Sequence, residues 1–311
     1  MTQTDYGLNN PYNLGRGVTP HYKITYDDSL SQGDGQDRAN ALMAACEEDY
    51  SQMSNWFGGI SLPFSLPVAV QMVPGAYAGA GWGPPITLTP GDGSAIDLVR
   101  YLLVSEVVEM FMKSKNNGWG FGFGDTNEGS RGEALSRFLG FQFMASNGLN
   151  TSVLYRDSNN NFFVSNRWLS TSRDDFVNHN PDDIDPDATT GCTTLFVYYL
   201  FSQLTFNISS IINAGASPLA GVYKNLTGDP GDPFPSFKKL LDDGFPGQGT
   251  ISTGPNLDNP FPLPGNIVLS VRRYRDKDAP GVASLSQMIS AKNLGQVRAL
   301  LNSDRLASML P

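Results

Sequence analysis

The sequence predicts an α+β fold: a small sheet packed on one buried helix, followed by a mostly helical C-terminal lobe. Three observations lead there. In the first half, short apolar segments bounded by Pro and Gly alternate with segments of helical periodicity. One of those segments, residues 97–114, is apolar around nearly its whole circumference, the pattern of a central helix rather than a surface one. Beyond Cys192 the periodicity is helical in successive short blocks. With 311 residues, 40% of them hydrophobic and only 16% charged, the chain has ample material for the core such a fold needs.

The elements follow in order. After a polar, Gly/Asn-rich arm, residues 21–26 (His-Tyr-Lys-Ile-Thr-Tyr) alternate as a strand. Residues 36–56 form a helix, because Ala39, Leu42, Met43, Cys46, Tyr50 and Met53 recur at steps of three and four, and Gly58-Gly59 ends it. Residues 67–73 and 85–89 are strands, joined by a Gly/Ala-rich turn. The buried helix 97–114 comes next, with Asp92, Ser94 and Asp97 near its start as candidate caps. A glycine-rich loop carrying Trp119, Phe121 and Phe123 leads into a helix over 128–144. Strand-like pieces at 152–155 and 162–164 precede an acidic loop with Asp182, Asp183, Asp185 and Asp187. Helices are expected at 192–204, 208–213, 217–226 and 234–241. Residues 267–274 alternate as a strand, and 285–289 with 297–309 form a helical tail. The organisation is therefore an arm (1–17), an α+β lobe (18–170), a helical lobe (171–243), a Pro/Gly-rich loop (244–265), and a strand with a helical tail (266–311).

Composition excludes several classes of function. A net charge of −9 and a pI near 4.7, without a Lys/Arg run, disfavour nucleic acid and anionic membrane surfaces as partners. No apolar segment reaches the length of a membrane span. The opening residues have neither a basic start nor an apolar core, so no secretory signal is read from them, and the compartment stays open. Two cysteines, Cys46 and Cys192, outside any CxxC or Cys/His cluster, read as small buried hydrophobes rather than a disulfide framework.

The chemistry concentrates on the buried helix. It carries Ser105-Glu106-Val107-Val108-Glu109, and after the 18 residues 110–127 comes Glu128 within Asn127-Glu128-Gly129. With the order strand, helix, strand, strand, buried helix, glycine-rich loop, helix, this resembles the catalytic domain of the gluzincin metallopeptidases, the zinc aminopeptidases among them. In that family the helix bears His-Glu-x-x-His, two histidines one turn apart that bind zinc with Glu as general base, and a third ligand comes from an Asn-Glu-Gly motif on the next helix. The resemblance, over residues 20–145, implies a zincin-like fold. It places Glu106 at the general base and Glu128 at the third ligand, with Ser105 and Glu109 where the histidines would be.

The departure from the motif decides what chemistry to expect. Ser, Glu and Glu offer only oxygen, whereas structural and catalytic zinc sites draw on His or Cys. The chain's only histidines, His21 and His179, lie far from the motif in sequence. Ordinary zinc proteolysis is therefore not expected, and a bound cofactor is not expected either. Two readings of the carboxylates stay open: Glu106, Glu109, Glu128 and Glu133 neutralised by Arg131 and Arg137, or a hard cation such as Ca²⁺, Mg²⁺ or Mn²⁺ at Glu109 and Glu128. Trp119 in the glycine-rich loop lines a ligand groove or packs on the core. Tyr198 and Tyr199 fall where the resemblance allows a gluzincin's C-terminal helices to supply a tyrosine. The expected function is that of a catalytically inactive zincin-like protein that binds a protein, peptide or glycan, or that self-assembles. The alternative is a hydrolase acting through Glu106, Glu109 and Glu128, with or without a hard metal ion.

Overall fold

The computed structural model describes residues 17–75, 79–81, 85–89, 95–120, 129–154, 168–169, 171–179 and 189–244. Their architecture is α+β and mostly helical. The elements are β1 (Tyr22–Tyr26), α1 (Arg38–Trp56), β2 (Val68–Met72), β3 (Gly79–Gly81), β4 (Ile86–Thr89), α2 (Ile96–Lys115), α3 (Gly129–Ser146), α4 (Thr189–Tyr198), α5 (Ile208–Asn213), α6 (Leu219–Thr227) and α7 (Phe234–Gly244).

The four strands form one mixed sheet in the order β1-β2-β4-β3. β1 and β4 run parallel to β2, with Ile24 opposite Val70 and Met72 opposite Leu88, and β3 closes the edge antiparallel to β4. Parallel neighbours require a crossover, and α1 supplies the one between β1 and β2. The period-two alternation sends Tyr22, Ile24, Tyr26, Val68, Val70, Met72, Ile86 and Leu88 to the buried face. α1 packs on β1, and α2 packs on β3 and β4.

α2 has the burial its composition foretold. From Leu98 to Met112 all but one residue are buried, the exception being Arg100. Arg100 instead joins three helices. It grips Asp49 of α1 through Nη2–Oδ1 at 2.6 Å and Nε–Oδ2 at 3.1 Å, and its guanidinium lies 5.3 Å from the centre of the Phe143 ring of α3. α2 ends at Asn116, whose left-handed conformation (φ 45°) lets its N–H bond back to the Met112 carbonyl, while Lys113 and Lys115 complement the negative helix end.

The helical part is locked to the sheet part. α4 lies along α3, with the Phe138 ring edge-on to Tyr198 at 4.8 Å. Past α2, the Trp119 indole and the Asn117 amide both donate to the Ile212 carbonyl, at 3.0 and 2.8 Å. Gly118, at φ 102°, comes so close to the turn after α5 that a Cβ there would meet Ala216 Cα at 2.8 Å. Only glycine suits that backbone angle and approach.

Several local expectations change. Residues 79–81, read as a turn, are strand β3. Gly-Ala-Gly presents no β-branched or aromatic side chain to announce a strand, and it pairs through its backbone alone. Where a strand is expected over 152–155, residues 151–154 form a 3₁₀ turn and residue 155 lies outside the described residues; the backbone N–H of Asn150, just before the turn, is held by the Asp97 carboxylate at 2.8 Å. Asp97 thus serves that turn, and the residue before α2, Ala95, makes no capping bond. Asp92 and Ser94 lie outside the described residues. α4 begins at Thr189, three residues before the expected start. Its buried threonines look like loop formers in sequence, but Thr193 Oγ1 bonds back to the Thr189 carbonyl at 3.1 Å, inside the helix. The helix then widens into a π-turn over Tyr199–Gln203. Cys46 and Cys192 are both free and buried. Among the described residues no helix is long and apolar enough to cross a membrane. The strand and helices expected beyond residue 244, the segment 162–164 and the acidic loop lie outside the described residues.

Candidate functional site

α2 and α3 build the site. Their crossing is set by Gly140 of α3, where a Cβ would lie 2.6 Å from the Tyr101 ring and 2.9 Å from Ser105 Oγ. That close approach holds Ser105 against the α3 backbone. Ser105 Oγ is buried and makes no hydrogen bond of ordinary geometry, although the Tyr101 phenol lies near enough to be influenced by it. Burial pushes the Tyr101 hydroxyl up to about 12.

Glu106 is the chemically unusual group. Its side chain is only 9% exposed, and among the described residues it has no hydrogen-bond or ion-pair partner. Burial raises its carboxyl to about 8, and the negative charge of Glu133 on α3 adds to the effect. At neutral pH Glu106 is therefore mainly a neutral acid able to donate a proton. Glu133 is tied to Arg137 one turn along its own helix, Oε2 to Nε at 2.8 Å, on a half-buried surface. Glu109, one turn beyond Glu106 on α2, is buried at 5% exposure.

The arginines divide their roles. Arg137 pairs with Glu133, whereas Arg131 donates from Nε to the Gly118 carbonyl at 2.9 Å, fastening the start of the glycine-rich loop to the first turns of α3. Burial lowers the proton affinity of Arg131. Glu128, Phe121 and Phe123 lie outside the described residues, so the Ser105/Glu109/Glu128 set is seen only through its first two members. Among the described residues no group of three or more His, Cys, Asp or Glu is placed to hold a metal ion.

Of the aromatic candidates, Trp119 is buried, with its indole bonded to Ile212, and so belongs to the anchor between loop and α5. Tyr198 faces α3, against Phe138 and Phe141. Tyr199 turns away from it toward Phe196 and Phe237, and burial, with Tyr223 nearby, pushes its hydroxyl up to about 12. Consecutive helix positions point about 100° apart, so the two tyrosines serve different interfaces.

Both histidines are engaged elsewhere. His21, just before β1, binds the buried Glu47 of α1 twice, backbone N–H to Oε1 at 3.0 Å and Nδ1 to Oε2 at 2.5 Å, and its ring stacks on Tyr50 at 3.7 Å. His179 Nδ1 lies 2.9 Å from the Asp175 carbonyl in an exposed segment. Sequence reasoning missed the His21–Glu47 and Asp49–Arg100 pairs, since nothing in linear spacing relates residues 26 or 51 positions apart. It also passed over Gly140, although a glycine inside a helical pattern is a signal of close approach.

Comparison with known proteins leaves this geometry to stand by itself: no protein-family model matches the chain, and no curated protein matches it.

Proposed function

We propose that the chain is a zincin-like domain without zinc chemistry, serving to bind a protein, peptide or glycan or to act in an assembly. The observation that carries this reading is the oxygen-only donor set on α2. By the resemblance, Ser105 and Glu109 stand where the motif has its two histidines, and both lie on a buried helix that packs against a mixed sheet with an antiparallel edge strand. His21 and His179 lie on other segments, His21 against Glu47 and Tyr50 of α1 and His179 beside Asp175. Zinc prefers nitrogen and sulfur ligands, so such a set leaves zinc weakly held at best. Elemental analysis of protein purified in the presence of zinc tests the reading. Less than about a tenth of an equivalent of zinc per chain is expected, and one equivalent that disappears on Glu109→Ala would overturn it.

A second reading, a hydrolase using carboxylates, draws support from one observation: Glu106 is buried on α2, and burial with the nearby Glu133 raises its carboxyl to about 8, which suits it to donate a proton near neutral pH. Glu109 and Glu128 would then hold either substrate or a hard cation through oxygen. Turnover of peptide or glycoside substrates that is abolished by Glu106→Gln would favour this reading over the first.

A further inference from the structure

We draw no further inference here: the strongest candidate, the buried Glu106 carboxyl facing Glu133 across the α2–α3 interface, belongs to the site already described, and nothing in the structure points to a ligand for it beyond that site.

Discussion

Gly140 on α3 stands so close to Tyr101 on α2 that a single added carbon would come within 2.6 Å of the ring. The two helices that carry the candidate site thus meet at a contact only glycine permits. Tyr101 is itself only 2% exposed, so its ring has little room to yield. Gly140→Ala brings two opposing effects: a gain in helix propensity of about 1 kcal/mol and overpacking that costs about 1–3 kcal/mol. The expected outcome is a net destabilisation of about 1 kcal/mol, read as a lower urea midpoint with an unchanged slope. A stabilised variant would show that the interface is looser than described.

The Asp49–Arg100 pair makes a second test. Asp49 is 4% exposed and accepts two bonds from one guanidinium, so removing it leaves the partly buried Arg100 cation unpaired. Asp49→Ala should destabilise the protein by about 3 kcal/mol. Replacing both residues, Asp49→Leu with Arg100→Met, should recover much of that loss, because the desolvation of both charges is removed together. Thermal unfolding of the single and double variants checks this, and additive losses would argue against a coupled pair.

Glu106 predicts the pH dependence of stability. Its carboxyl is raised from 4.5 to about 8 in the folded protein, so between those values the native state binds more protons than the unfolded state. Stability from this group is therefore complete below about pH 4.5 and is lost as pH rises toward about 8. Glu106→Gln keeps the neutral shape and removes the titration. It should be more stable than wild type above pH 8, by on the order of a few kcal/mol, and nearly equal at pH 5. Urea unfolding at pH 5, 7 and 8.5 is the measurement. Parallel profiles for the two proteins would mean that Glu106 is solvated or already paired.

Restoring the motif tests the zincin reading directly. Ser105→His with Glu109→His rebuilds His-Glu-x-x-His around Glu106, and zinc affinity should rise by calorimetry even without turnover, since catalysis also depends on the groups that orient ligands and water. Ser105 lies against Gly140, so the first histidine has little space and lowers the stability of the double variant. Glu109→His by itself avoids that contact and should give a smaller gain. A folded double variant with no gain in zinc affinity would sink the zincin reading.

The sequence by itself determined the class of the fold and the identity of the central helix. Period-two alternation marked β1, bounding Pro and Gly marked the short apolar segments of β2 and β4, and an apolar circumference marked α2, because these patterns are local consequences of burying one strand face or a whole helix. It also determined that the motif offers oxygen ligands only, which is a matter of residue type. Tertiary structure alone decided the rest. β3 exists only through its pairing with β4, Trp119 serves as an anchor only because Ile212 lies beside it, and Glu106 holds its proton because α3 brings burial and the charge of Glu133 together. Those properties depend on residues distant in the chain, and neither periodicity nor spacing encodes which distant residues will meet.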